Sequence, residues 1–183
     1  MNTKRISEKI EEILNRQVRN EAEAAQIFLS YAIWADDQGY AGVANLLYRH
    51  SGEERDHMMK FINYIQNRGG KAKVTALNAP PEDPKNIQDC FQKLFKHEVD
   101  NTTAIYEIVN LAQEEKDWAT WNFGQWFVKE QIEEETLVMD LLDKLEIAGG
   151  PDATDESLLL LDSQLEKHSD EAELARDTEV ENP

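Results

Sequence analysis

Only one cysteine, five prolines and eight glycines occur among the 183 residues of this chain. Cys90 alone cannot form an intrachain disulfide or a thiolate metal cluster, which argues against an oxidising compartment and against zinc-finger chemistry. The N-terminus, MNTKRISEKIEEILNRQ, lacks the apolar stretch of a signal peptide, and no segment approaches the roughly 18 apolar residues of a membrane span. We therefore expect one domain that is soluble and cytoplasmic, with no membrane partner.

Basic residues are also scarce, because 19 Lys and Arg face 37 Asp and Glu, for a net charge of −18. A chain without a basic surface is a poor ligand for phosphate, so nucleic acid is not an expected partner, whereas cations are. Residues 152–183 hold eleven acids against Lys167 and Arg176, a net of −9, which is half of the total charge. The composition predicts a domain over residues 1–168 and a solvated acidic tail over 169–183.

Glycine and proline lie in clusters that divide the chain into long segments of helical periodicity. The sequence predicts an all-α fold without strands. The third and fourth helices are expected to meet within EEKDWAT, where neither glycine nor proline marks the turn. The predicted helices cover about residues 5–37, 41–68, 85–115, the segment from there to about 147, and the short stretch SLLLLDSQLEKH.

The connection between the second and third helices predicts the topology. A helix of 28 residues is about 42 Å long, and roughly 15 extended residues span about 50 Å. The linker KAKVTALNAPPEDP therefore has the length to cross the whole bundle. Short turns make the first two helices antiparallel, and likewise the last two, whereas the long crossover makes the second and third helices parallel. The pattern is that of a four-helix bundle with one long connection and a short fifth helix.

Every long helix carries a carboxylate inside its apolar stripe. The acids lie near the middle of each helix, so they are expected to meet in one layer. Buried together without a partner, carboxylates cost several kcal/mol each or become protonated, so the layer implies either a bound cation or helix faces that differ from the predicted ones. In the first three helices these acids are Glu21, Glu54 and Glu98. In the fourth helix the stripe reads Phe123, Phe127, Glu130, Glu134, Leu137 and Leu141, and its acids are Glu130 and Glu134.

Glu54 and His57 stand three residues apart and therefore share one face of one helical turn. Carboxylates with a single imidazole form a hard ligand field that suits iron or manganese. Di-iron carboxylate bundles take one Glu from each of two helices and a Glu-x-x-His from each of the other two. In KEQIEEE of the fourth helix, Gln131 and Glu134 occupy the corresponding spacing and no histidine is present. The asymmetry predicts weaker binding of the second ion.

These motifs resemble those of the ferritins over about residues 10–165. The resemblance rests on NRQVRNEAEAA, HSGEERDHMMKF, NRGGKAKV, KHE and FGQWFVKEQIEEE. It implies a ferroxidase centre in which Glu21, Glu54 and His57 bind the first iron. In that centre Glu54 bridges to a second iron held by Glu98 and Glu134, and Gln131 stands nearby as a polar neighbour or weak ligand.

The resemblance also implies an activity and an assembly. Ferritins oxidise Fe(II) with dioxygen or hydrogen peroxide at the paired site and store Fe(III) as a mineral in a hollow shell of twenty-four chains. The expected partners of this chain are therefore iron, the oxidant and further copies of itself.

A third iron position is implied beside the pair, since bacterial ferritins with the same EQxEE pattern carry one. Glu130, Glu133 and Glu134 have the spacing i, i+3 and i+4, which lets them converge on one ion from the fourth helix. Glu53 of the second helix is expected to approach the same ion. Such a site draws ferric iron off the pair, since hard anionic oxygens hold Fe(III) without an imidazole.

Some positions depart from the family pattern. Ferritins commonly carry a tyrosine seven residues after the glutamate of the first helix, and here that residue is Phe28. The start of the fourth helix, TWNFG, lacks the acids that line iron channels in animal ferritins. Bacterioferritins place a haem-ligating methionine where this chain has Arg55, so no haem is expected. His50 and His97 are predicted to be structural or to support ligands.

Two other functions fit parts of the pattern. A di-iron peroxidase or oxygenase of the rubrerythrin type is expected to have a second Glu-x-x-His on the fourth helix, which KEQIEEE lacks. A non-catalytic helical scaffold with solvated acids is expected to show no tight site when titrated with iron or zinc.

Overall fold

Four long helices form most of residues 3–166, which are the part of the chain that the computed structural model describes. A 3-10 turn at Gly150–Asp152 leads to a fifth helix, α5, over 155–166, and no strand occurs among the described residues. The all-α prediction is confirmed. The predicted acidic tail, and the end of the predicted domain at 168, lie outside the described residues. The long helices are α1 (Glu8–Asp37), α2 (Ala41–Asn67), α3 (Ile87–Glu114) and α4 (Trp118–Ile147).

Side-chain caps fix the starts of three of the four long helices, α1, α3 and α4. Ser7 Oγ accepts a hydrogen bond from the N–H of Ile10, which places the start of α1 three residues after the predicted one. Asp117 caps α4 by accepting from the N–H of Thr120 at 3.1 Å. Lys116, at φ 57°, makes the turn before it in the left-handed region. The predicted boundary within EEKDWAT is therefore confirmed, with a lysine where glycine is more usual.

The α2 helix is capped by another part of the chain. Its own N-cap residue, Tyr40, makes no side-chain cap. Instead, the carboxylate of Asp162 on α5 accepts a hydrogen bond from the N–H of Val43 at 2.9 Å, where it also faces the positive end of the helix dipole. A Cβ atom on Gly42 would lie 2.0 Å from the Asp162 carbonyl oxygen. This glycine therefore allows α5 to pack against the start of α2.

The long linker between α2 and α3 runs alongside α1. Backbone N–H groups of Lys73 and Asn78 donate to side chains of Asn15 and Glu23, at 2.7 and 2.9 Å. The linker therefore runs in the same direction as α1. Since α1 and α2 are joined by a short turn, a linker that follows α1 returns the chain to the end of the bundle where α2 began. The predicted crossover is confirmed, and α2 and α3 run parallel.

The apolar core has two parts. One cluster surrounds Phe28 and Phe91 and includes α5 residues such as Leu161. The other surrounds Phe61 and Phe127 at the opposite end of the bundle. Between them lies a layer of buried polar side chains from all four long helices. None of the described helices is both long enough and apolar enough to cross a bilayer.

The buried face of α4 is rotated from the predicted stripe. Phe123, Glu130 and Leu137 were expected to point inward but are half-buried. A Cβ atom on Gly124 would lie 2.8 Å from Val109 Cγ2, so α3 approaches α4 at a position without a side chain. A pattern of large apolar residues does not reveal such a contact. The residues that face inward are Thr120, Gly124, Phe127, Gln131, Glu134, Val138, Leu141 and Leu145.

Candidate metal centre

The polar layer brings together the residues that the sequence placed in the paired site. Each of the six is no more than 6% exposed. They come from the middle of four different helices, so their proximity depends on the bundle and not on one local motif. The residues are Glu21 of α1, Glu54 and His57 of α2, Glu98 of α3, and Gln131 and Glu134 of α4.

Three of these side chains converge on one point. Glu21, Glu54 and His57 each offer a ligand atom, and these atoms lie within 4.8 Å of one another. Nδ1 of His57 is 3.4 Å from Oε2 of Glu54, as expected for residues on one face of a helical turn. Two carboxylates and an imidazole provide three ligands for one ion.

The carboxyl groups of the layer resist ionisation while no cation is bound. Burial and then the neighbouring Glu54 carboxyl raise the pKa of Glu21 well above its usual value. Burial and the Glu98 and Glu134 carboxyls likewise raise the pKa of Glu54. For Glu98, burial followed by the charge of Glu134 raises the pKa to about 8. Because like charges and a dry environment disfavour the anions, a cation at this position would stabilise them.

Unsatisfied oxygen atoms mark the inside of the layer. Oε2 of Glu21, Oε2 of Glu54 and Oε1 of Glu98 are buried and have no hydrogen-bond partner within residues 3–166. Buried polar atoms are almost always hydrogen-bonded, so three unpartnered carboxylate oxygens in one layer require an explanation. Binding of metal ions supplies one, because each oxygen then gains a ligand bond.

The ligands expected for the second ion do not converge in the same way. Oε2 of Glu98 accepts a hydrogen bond from Nε2 of Gln131 at 3.2 Å. Glu134 instead lies 3.3 Å from Nδ1 of His50. Glu98 belongs to none of the groups of three potential ligands found among the described residues. The structure therefore brings Glu98 and Glu134 into one layer but directs their oxygens to different partners.

Glu134 belongs to two further groups of potential ligands. One group joins it to His50 and Glu53, and the other joins it to His57 and Glu130. Nε2 of His57 lies 3.6 Å from Oε1 of Glu130. All members of these two groups except His57 line a cleft of about 430 Å³ between α2 and α4. Three residues expected at the third position, Glu53, Glu130 and Glu134, thus lie around one opening beside the pair.

The fourth residue expected there, Glu133, points elsewhere. Its side chain is 62% exposed and pairs with Lys129 at 3.1 Å, one turn earlier on α4. It lines the same cleft but joins neither ligand group. The rotation of α4 explains this position, because turning Gln131 inward moves Glu133 toward solvent.

His50 contacts the third position more closely than the sequence suggested. Nδ1 of His50 lies 3.3 Å from carboxylate oxygens of both Glu53 and Glu134. Burial alone disfavours its charge, but the Glu134 and Glu53 carboxylates outweigh burial and raise its pKa. The signal was present as His50-x-x-Glu53, which has the same i, i+3 spacing as Glu54 and His57 in the reverse order.

Aromatic rings border this layer on both sides. The ring of Phe28 stacks on His50 at 5.5 Å and meets the edge of His97 at 6.2 Å. Burial lowers the pKa of His97, as expected for a neutral histidine in the core. Trp126 and Phe127 pack edge-on against His57 at 5.5 and 5.8 Å. These rings fix the two ligand histidine candidates, His50 and His57, in one orientation.

Comparison with known proteins points to one family. A family model described as a ferritin-like domain matches residues 11–148. A probable bacterial non-heme ferritin-like protein of Haemophilus influenzae is 36% identical over 160 residues, which are 87% of this chain and 95% of that protein. The bacterial non-heme ferritin of Campylobacter jejuni is 33% identical over 144 residues, 79% of this chain and 86% of that protein.

Solved structures that are similar to this chain are also ferritins. An open-pore ferritin from the hyperthermophilic archaeon Archaeoglobus fulgidus superposes with a TM-score of 0.84 at 38% identity, covering 88% of this chain and 98% of the archaeal chain. A closed form of that ferritin, engineered by site-directed mutagenesis, gives a TM-score of 0.83 at 40% identity, with 88% and 96% covered.

Proposed function

We propose that this chain, which belongs to the ferritin family, stores iron by oxidising Fe(II) at a paired site inside its bundle and keeping Fe(III) as a mineral in an oligomeric shell. The observation that carries the proposal is the buried layer, where three carboxylate oxygens make no hydrogen bond within residues 3–166 and where Glu21, Glu54 and His57 converge. A bundle that needed only stability would fill this layer with apolar side chains.

The first iron binds to Glu21, Glu54 and His57. These residues already lie close together and supply two anionic oxygens and one imidazole nitrogen. Binding displaces the protons that the raised pKa values retain on the carboxyl groups, so the uptake of iron releases protons.

The second iron binds between Glu54, Glu98 and Glu134. The charges of Glu98 and Glu134 both raise the pKa of Glu54, which supports a shared ion among the three carboxyls. Gln131 donates to Glu98 and holds its position, and it is a weak ligand at most. To complete the site, Glu134 must turn from His50 toward the pair.

Paired ferrous ions supply the two electrons that reduction of dioxygen to hydrogen peroxide requires. In balanced form, two Fe(II), one dioxygen and two protons give two Fe(III) and one hydrogen peroxide. With peroxide as oxidant, two Fe(II), one hydrogen peroxide and two protons give two Fe(III) and two water molecules. The carboxylate ligands favour the ferric products, because hard oxygen donors bind Fe(III) more strongly than Fe(II).

Ferric iron then moves to a third position at the cleft between α2 and α4. Glu53, Glu130 and Glu134 supply the ligands there, since all three line the cleft and Glu134 shares one group of potential ligands with Glu53 and another with Glu130. Glu133 lies at the rim of this cleft, where it attracts the ion without belonging to the inner set. A ligand shared by two positions gives the ion a short route outward.

Family membership supports an oligomeric assembly. We propose a homo-oligomeric shell of twenty-four chains in the cytoplasm, built from a domain over residues 1–168 with an acidic tail over 169–183. Absence of haem remains a prediction that rests on Arg55, whose side chain occupies the position of the haem-ligating methionine of bacterioferritins.

A peroxidase or oxygenase of the rubrerythrin type is disfavoured by α4. The residue that would be the second histidine ligand is a glutamate, Glu134, and the residue three positions before it, Gln131, faces Glu98. An asymmetric site with one imidazole is better suited to a centre that releases its iron for storage than to one that retains iron as a permanent cofactor.

The test combines size-exclusion chromatography of the purified protein with aerobic Fe(II) oxidation followed by absorbance. We expect a large assembly that oxidises Fe(II) much faster than buffer and retains the iron through a second column. Asp100→Asn serves as the control, because this exposed carboxylate on α3 pairs with Lys96 and belongs to none of the groups of potential ligands. A monomer that oxidises iron no faster than buffer would refute the proposal.

A further inference from the structure

A chain of buried side-chain amides connects the two halves of the metal centre. Nε2 of Gln17 donates to Oδ1 of Asn101 at 2.6 Å, and Nδ2 of Asn101 donates to Oε1 of Gln131 at 3.2 Å. The three residues come from α1, α3 and α4 and are 1, 6 and 2% exposed. A buried amide must satisfy both of its ends, so each member constrains the orientation of the next.

Both ends of this chain donate to carboxylates. Nε2 of Gln17 also donates to Oε1 of Glu21 at 2.7 Å. Nε2 of Gln131 donates to Oε2 of Glu98 at 3.2 Å. The amides therefore link one carboxylate of the first iron position to one of the second.

The same bonds leave one oxygen free on each carboxylate. Oε2 of Glu21 and Oε1 of Glu98 are buried without a hydrogen-bond partner in the described part of the chain. Each glutamate thus has one oxygen held by the amide chain and one available to an ion. The chain selects which oxygen each ligand presents.

We infer that Asn101 is the positioning residue that holds this arrangement, acting on Glu98 through Gln131. The inference rests on the proposed function of the centre. Asn101 accepts from Gln17 and donates to Gln131, and a side chain of this size needs a carboxamide to do both. Aspartate offers only acceptors when ionised, and leucine offers neither group.

The orientation of the Gln131 amide depends on the Asn101 donor, because the other groups that bond to this amide are acceptors. Oγ1 of Thr102 gives its proton to Glu135 at 2.5 Å and so accepts from Nε2 of Gln131 at 3.3 Å. If the Gln131 amide turned over, its oxygen would face Thr102 Oγ1 and the Glu98 carboxylate. The donor of Asn101 keeps the amide from turning, and the Glu98 oxygen stays held.

Two variants of Asn101 test the inference in the assembled, metal-free protein. Anaerobic titration with Co(II), followed by its ligand-field absorption, measures each ion, and Glu21→Ala and Glu98→Ala assign the bands. We expect Asn101→Leu and Asn101→Asp to weaken the second ion roughly ten-fold or more, as supporting hydrogen bonds do at metal sites. The first ion keeps its affinity, because Gln17 still donates to Glu21.

The aspartate variant separates positioning from charge. The titrations are run from pH 6 to pH 9, because a protonated carboxyl at this buried position would still donate to Gln131, whereas an ionised one has no donor. The added negative charge should by itself strengthen cation binding, whereas loss of the Asn101 donor weakens the second ion. Thr103→Asp is the matched control, since it adds the same charge at an exposed position on α3 that lies outside the amide chain. We expect Thr103→Asp to leave the second ion unchanged or to tighten its binding slightly.

Different results separate this inference from the proposed function. A parent chain that binds no Co(II) and oxidises no Fe(II) refutes the function of the site. A parent chain that binds both ions, together with an Asn101→Asp variant that binds the second equally well or better up to pH 9, refutes the positioning role alone. Circular dichroism and the apo melting temperature check folding, and if Asn101→Leu does not fold, the result for Asn101→Asp decides.

Discussion

The two halves of the metal centre differ in how completely they are formed before an ion binds. On the α1 and α2 side, Glu21, Glu54 and His57 lie within ligand distance of a common point. On the α3 and α4 side, Glu98 is held by Gln131 and Glu134 lies beside His50. A preformed site loses less free energy to rearrangement when it binds. The difference implies ordered binding, with the second ion weaker and more easily released.

Removal of the ligand that both halves share should have the largest effect. We expect Glu54→Ala to reduce Fe(II) oxidation to the rate of buffer, measured by stopped-flow absorbance, while the shell still assembles. The melting temperature of the apo protein should hold or rise, since the variant removes a buried carboxyl whose pKa burial has raised. An apo variant that melts far below the apo parent would show that Glu54 serves mainly structure.

Variants that remove a ligand from only one half of the centre should separate the binding of the first ion from that of the second. Glu21→Ala is expected to weaken the first ion and, with it, the pair, whereas Glu98→Ala should remove only the second ion. Calorimetric titration with Zn(II) should then show the tight binding event in Glu98→Ala but not in Glu21→Ala. Initial oxidation rates should fall in both, roughly ten-fold or more. Equal loss of both ions in the two variants would contradict a preformed first position.

The stability of the apo protein should change with pH in the direction opposite to that of a protein stabilised by carboxylates in ion pairs. The pKa of Glu98 rises from 4.5 to about 8 on folding, so the folded state binds more protons than the unfolded state between these values. The free energy of unfolding should therefore fall as pH rises through this window. Metal affinity should rise over the same window, because binding displaces protons.

Urea unfolding at a series of pH values, with and without Zn(II), measures both trends. Glu98→Gln is the control that should flatten part of the apo trend, because it removes one of the shifted groups. A stability that climbs steadily from pH 5 to pH 8 in the apo parent would contradict the protonated layer.

The smallest effect should come from the third position. Crystals soaked with Fe(II), first without and then with air, should show three anomalous peaks per chain. Glu130→Ala should lose only the third, since Glu130 lines the cleft and is not among the ligands proposed for the pair. Glu133→Ala should keep all three, because Glu133 is paired with Lys129 in solvent. Only two peaks in the parent at high iron occupancy would refute the third site.

Much of the fold was predictable because its signals are local. Glycine clusters and caps set the helix ends, and the linker length set the parallel arrangement of α2 and α3. Less predictable was the rotation of α4, which depends on the approach of Val109 to Gly124. That rotation explains why Gln131 is buried while Glu130 and Glu133 lie progressively further out.

The sequence by itself determined that Glu54 and His57 share a face, because the helical repeat fixes residues three apart whatever surrounds them. It also placed at least one acid near the middle of each long helix, and hence one polar layer. Only the tertiary structure decided which oxygen of Glu21 and Glu98 stays free, and that His50 lies beside Glu134. Those contacts join different helices, so they depend on helix rotation and on hydrogen-bond direction, which no spacing along one helix encodes.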